Sequence, residues 1–68
     1  MHKFAERLKE ALQTNQISQT DLAKKINMSQ QIVNSYCTGK REPSLTALFL
    51  ISKALNETTD YLLGLTDS

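Results

Sequence analysis

Two helix-start signals stand eleven residues apart near the middle of the chain, and the gap between them leaves little freedom in how the helices meet. Ser18 is an N-cap residue, with Asp21 three places later as an acidic form of the capping box. Ile17 and Leu22 occupy the positions of a hydrophobic staple around that start. Ser29 repeats the arrangement with Met28 and Val33. The first of these helices runs about two turns through Leu22, Ala23 and Ile26 before Asn27, a residue suited to the left-handed conformation that ends helices. So short a link forces the two helices to cross steeply.

The same reasoning places three more helices. Phe4, Leu8, Ala11 and Leu12 recur at i, i+4, i+7 and i+8, with Lys3, Glu6, Arg7, Lys9 and Glu10 on the remaining faces. This predicts a first helix that ends near Thr14-Asn15, with Asn15 as its left-handed residue. The third helix, opened by Ser29, ends at Gly39. Pro43-Ser44 starts a fourth, with Leu45, Leu48, Phe49, Ser52 and Leu55 expected to face inward and Asn56 to close it. A short fifth helix begins at Thr58 or Thr59, carries Tyr61, Leu62 and Leu63, and stops at Gly64. No run alternates apolar and polar residues as a strand would, and no repeat or low-complexity segment occurs. The expected fold is all-α, a compact bundle of five short helices in one domain over 1–68, with a helix-turn-helix at about 18–38.

Composition narrows the function classes. A chain of 68 residues allows one small domain, which buries only about 60% of its unfolded surface. Its single cysteine, Cys37, cannot close an internal disulfide, so close helix packing must hold the fold and a reducing, cytoplasmic setting is expected. The longest apolar run, Ala47 to Ile51, is far too short to span a bilayer, and no membrane partner is expected. The net charge of +1 hides an asymmetry. Residues 1–55 hold all eight Lys/Arg against Glu6, Glu10, Asp21 and Glu42, whereas Glu57, Asp60 and Asp67 make residues 56–68 acidic. Catalysis has nothing to stand on: His2 is terminal, Cys37 faces inward, and no spacing suggests a nucleophile with its base or a metal site. No enzyme activity, cofactor or small-molecule site is expected.

The third helix is the informative one. Val33, Tyr36 and Cys37 form its inward stripe, and the opposite face is Gln30, Gln31, Asn34, Ser35 and Thr38. That face is polar yet uncharged, whereas an ordinary solvated helix surface favours Glu and Lys. A Gln or Asn amide sets a donor beside an acceptor, matching N6–H and N7 of adenine in the major groove. Gln19, first in the second helix, lies where free N–H groups and the helix dipole favour phosphate, and Lys40 and Arg41 follow the third helix as further phosphate contacts.

The run from Ser18 through Ser29, followed by Tyr36, Gly39-Lys40-Arg41 and Pro43-Ser44-Leu45, resembles the Cro/phage-repressor (XRE) helix-turn-helix family. Leu48, Ile51, Lys53-Ala54-Leu55 and Asp60-Tyr61-Leu62-Leu63-Gly64 extend the likeness, which covers Phe4 to Leu65. The resemblance implies a lambda-repressor-like fold and a transcriptional repressor or regulator that binds double-stranded operator DNA as a homodimer, at least on DNA. By position it assigns Gln30, Gln31, Asn34 and Ser35 to base contacts and Gln19, Ser29, Thr38, Lys40 and Arg41 to phosphate contacts, with Gln19 also bracing the recognition helix. It places the two-fold contact around Leu50, Thr59 and Tyr61, Leu50 being an apolar side chain where relatives commonly carry lysine. An antitoxin that regulates its own gene shares this fold, and a protein-interaction module is a further alternative.

The chain departs from the family pattern at named positions. Asn replaces the usual glycine at 27 and 56, and Glu57 stands where an apolar residue is common. Many relatives pair an Arg at the place of Leu12 with a Glu at the place of Cys37; here both partners are replaced, and Leu12 and Cys37 are expected to touch as an apolar substitute.

Overall fold

Every helix of the protein ends in the same way. The computed structural model describes residues 3–67, which leaves His2 outside the described part of the chain. Its helices are α1 (Phe4–Thr14), α2 (Gln19–Lys25), α3 (Gln30–Cys37), α4 (Leu45–Leu55) and α5 (Thr59–Leu63), with no strand among the described residues. Each is followed by one residue at positive φ: Gln16, Asn27, Gly39, Asn56 and Gly64. In each case the next N–H reaches back to close the last turn: Ile17 to Leu12 O, Met28 to Ala23 O, Lys40 to Ser35 O, Glu57 to Ser52 O and Leu65 to Asp60 O, all at 2.9–3.0 Å. This is the Schellman termination, which satisfies carbonyls that the helix leaves open.

The starts are equally regular. Ser18, Ser29, Ser44 and Thr58 each accept a hydrogen bond at 3.0–3.2 Å from the N–H three residues on, at Asp21, Ile32, Ala47 and Tyr61. Only α1 lacks a side-chain cap. Since a cap contributes about 1 kcal/mol, four of them matter in a chain with so small a core.

The end of α1 corrects the sequence expectation. Asn15 stays right-handed and its side-chain amide donates to Ala11 O at 2.8 Å, while Gln16 takes the left-handed conformation at φ 56°. The motif puts apolar residues at both ends of its long hydrogen bond, Leu12 and Ile17, and only Gln16 can then sit between. A glutamine carries a Cβ strain there that glycine lacks. Gln16→Gly is therefore expected to raise stability by about 1 kcal/mol and the melting temperature by about 5 °C. A thermal melt showing no increase would count against this account of the turn.

The core joins all five helices: Phe4, Leu8, Ala11 and Leu12 from α1, Leu22 and Ala23 from α2 with Ile26 at its cap, Val33, Tyr36 and Cys37 from α3, Ala47, Leu48, Ile51 and Leu55 from α4, and Leu62 from α5. α1 packs on α3 and α5, α2 on α3 and α4, and α4 on α5. The rings of Phe4 and Tyr36 meet edge to face with centroids 6.1 Å apart, which seats α3 on α1. Leu12 and Cys37 are both buried in this cluster.

α4 buries Leu48, Ser52 and Leu55 as expected but is rotated so that Ala47 and Ile51 replace Leu45 and Phe49 on the inner face. Ala47, Leu48, Ile51, Ser52 and Leu55 face inward, while Leu45 is 86% and Phe49 54% exposed. The helix is apolar on nearly every side, so its own periodicity does not choose a face; the small Ala47 and the branched Ile51 fit the interior instead. Ser52 is buried without penalty because its hydroxyl donates to Phe49 O at 2.7 Å. Leu50 is half-buried and packs against the core.

Arg7, assigned by pattern to the outer face of α1, is instead a clasp for the end of the domain. Its Nη1 donates to Tyr61 O at 3.1 Å and Thr66 O at 2.8 Å, and the guanidinium lies 4.5 Å from the Tyr61 ring centroid. Asp67 and Glu10 lie within 3.7 and 4.0 Å of the same group.

Candidate nucleic-acid interface

α3 is held from two sides. From below, Val33, Tyr36 and Cys37 bury it in the core; from the side, α2 packs against it across the Asn27 turn. The outer face is left clear. Gln30, Gln31 and Asn34 are exposed, Ser35 is half-buried, and these four line an open concavity of about 640 Å³ together with Ile32 and Arg41. All four expected base contacts and one expected phosphate contact thus share a single surface. Thr38 and Lys40 lie beyond it, exposed at the end of α3.

The hydrogen-bond capacities of these groups are not equivalent. Asn34 Nδ2 donates to Gln19 Oε1 at 3.2 Å, tying the middle of α3 to the first residue of α2. Gln19 therefore offers its amide hydrogens outward, and Asn34 offers its carbonyl oxygen and remaining hydrogen. Ser29 Oγ accepts from Ile32 N–H, which leaves its hydroxyl hydrogen available to an anion. Ser35 sends its hydroxyl hydrogen to Gln31 O at 3.0 Å, so it presents only lone pairs. Thr38 likewise donates to Ser35 O at 3.3 Å. A phosphate oxygen is also an acceptor, so Thr38 can meet one only by giving up that bond.

The loop after α3 is fixed rather than trailing. Ser35 O accepts from the N–H groups of both Lys40 and Arg41, at 3.0 and 3.3 Å, and Gly39 at φ 79° makes the turn. These contacts bring Arg41 to the edge of the concavity, where its fork of donors suits phosphate. Among the described residues no group of His, Cys, Asp or Glu is arranged to hold a metal ion, and no helix is long and apolar enough to cross a membrane.

The three residues expected at a two-fold contact lie on α4 and α5. Thr59 lines a second concavity of about 430 Å³ with Phe49, Lys53 and Glu57, while Leu50 and Tyr61 are half-buried elsewhere against the core. Periodicity had assigned Phe49 to the core and so missed it as a surface residue; Lys53 Nζ lies 5.5 Å from its ring centroid. Ile32 was also missed, because it belongs neither to the inward stripe nor to the polar face.

A bundle in which two capped helices meet at a tight left-handed turn, with the second presenting a clear polar face, defines a helix-turn-helix protein. The helix-turn-helix family model matches residues 8–62, and the chain belongs to that family, of the Cro/C1 type. It is similar to the HTH-type transcriptional regulator ImmR of Bacillus subtilis, with 37% identity over 90% of this chain and 48% of the relative. The HTH-type transcriptional regulators YqaE and YobD of the same organism match at 33% and 27% identity, over 88% and 94% of this chain and 52% and 57% of their own lengths. The chain thus spans about half the length of the curated relatives it matches.

Proposed function

We propose that this chain is a single sequence-specific DNA-binding domain of a transcriptional repressor, with α3 in the major groove of a double-stranded operator. The observation that carries the reading is the shared surface of Gln30, Gln31, Asn34 and Ser35, amide-rich and uncharged, with Arg41 at its edge. Helix-turn-helix proteins place the N-terminal residues of their second helix against base edges while the first crosses the backbone. Gln30 and Gln31 occupy those N-terminal places on α3. Gln19, Ser29, Thr38, Lys40 and Arg41 are the phosphate contacts; Gln19 and Ser29 have donor hydrogens uncommitted, and Thr38 exchanges its bond to Ser35 O for one to phosphate. The names of the relatives, all transcriptional regulators, support the same reading.

In this reading two copies bind a palindrome, with recognition helices about 34 Å apart. The two-fold contact draws on the α4–α5 side of the domain, with Leu50, Thr59 and Tyr61 as the residues of interest, joined by exposed Phe49 beside Thr59.

Selection of bound sequences from a random duplex pool tests the proposal directly. A palindromic consensus is expected. Gln30→Ala and Gln31→Ala should each relax preference at particular base pairs by about 1–3 kcal/mol, whereas Gln19→Ala should weaken all sequences alike. Full operator preference in both recognition-helix variants would remove the base-reading assignment, and absence of any enriched sequence would remove DNA recognition itself.

A further inference from the structure

Within the surface assigned to DNA, one lining side chain has no hydrogen-bonding capacity. Ile32 stands among Gln30, Gln31, Asn34, Ser35 and Arg41 in the same concavity. We infer that Ile32 is a specificity-determining residue that packs against the C5-methyl group of a thymine in the operator half-site; this rests on the DNA-binding reading above.

Three features carry it. Ile32 is half-buried and packs on the core at its base, so the part of the side chain left in the concavity is held in place. It is branched at Cβ and lies in the first turn of α3, where Ser29 caps its own N–H at 3.2 Å; both features stiffen it. That turn is also the part of a recognition helix that reaches base edges. Finally, the thymine methyl is the one apolar group that the standard bases present in the major groove, and apolar side chains read it by contact. An isoleucine facing any other base edge would strip water from donors and acceptors without replacing their hydrogen bonds.

The neighbouring side chains leave that role to Ile32. Asn34 is tied to Gln19, and Ser35 is turned onto its own helix, so neither closes over the isoleucine. Gln30 and Gln31 supply paired donor and acceptor groups, which suit adenine rather than a methyl group.

The test uses the full chain and the duplex obtained by selection from a random pool. Each thymine of that duplex is replaced singly by uracil, which removes the methyl and leaves the pairing edge unchanged. One position per half-site should lose about fourfold in affinity, the loss that unburying a single methyl supports. With Ile32→Ala the same replacement should have no effect, while replacements elsewhere behave as in the parent protein. Ile32→Thr keeps the branched base of the side chain and serves if the alanine variant does not fold; repeated selection with it should relax thymine at that one position. Uracil tolerated everywhere by the parent protein, or undiminished sensitivity at that position in the variants, would overturn the inference while leaving DNA binding intact. Failure to select any sequence would instead remove the DNA-binding reading beneath it.

Discussion

Cys37→Glu is expected to destabilise the protein by about 3–5 kcal/mol, enough to leave much of the chain unfolded at room temperature. Cys37 is 2% exposed in the core beside α1, and Leu12, 6% exposed, cannot neutralise a carboxylate. Denaturant melts of the two proteins measure the difference, and a midpoint close to that of the parent would contradict the apolar account of this site. Adding Leu12→Arg to the Cys37→Glu protein supplies the carboxylate with a cationic partner, and should recover a large part of the loss. The native thiol gives an independent readout. Burial pushes the Cys37 thiol above its ordinary pKa, against a smaller opposing pull from Lys9, so it should react slowly with thiol reagents until the protein unfolds. This contribution to stability is complete below the unfolded thiol's pKa and is lost as pH rises through the higher folded value, because the unfolded chain ionises first. Cys37→Ala should flatten that alkaline slope.

The second large effect is on DNA affinity. Each phosphate neutralised by a cation contributes a slope of about −0.9 in log affinity against log salt. With Arg41 at the edge of the α3 surface and exposed Lys40 beside it in the chain as the two phosphate-neutralising cations, a fourfold rise in salt should weaken a single half-site about tenfold and a palindrome about a hundredfold. Lys40→Gln and Arg41→Gln should each lower the half-site slope by about one. Filter binding over a salt series decides it: affinity independent of salt would mean that these residues do not lie on phosphate.

Much of the architecture is local chemistry, and for that reason it is legible in the chain itself. Ser18, Ser29, Ser44 and Thr58 cap helices because a hydroxyl at that spacing reaches an open N–H, whatever surrounds it. Asn27, Gly39, Asn56 and Gly64 end helices because those residues enter the left-handed region at least cost. Val33, Tyr36 and Cys37 were readable as the buried side of α3 for the same reason: a polar face opposite them allowed only one orientation. That in turn made Gln30, Gln31, Asn34 and Ser35 visible as a surface.

Where local signals were degenerate, packing chose. α4 carries apolar residues around most of its circumference, so two faces fit the helical period equally well, and the fit of Ala47 and Ile51 against the other helices settled which one is buried. Arg7 looked like one more surface charge until α5 and the following turn brought the carbonyls of Tyr61 and Thr66 to its guanidinium, fifty-four and fifty-nine residues away. The pairing of Asn34 with Gln19 and the place of Ile32 in the α3 surface depend likewise on how α2 and the Arg41 loop lie beside the helix. The sequence by itself determined where helices start and stop, because those choices rest on interactions spanning three to five residues. Which faces meet, and which side chains from distant segments share a surface, was decided only when the helices packed, because those energies arise from contacts that no short window contains.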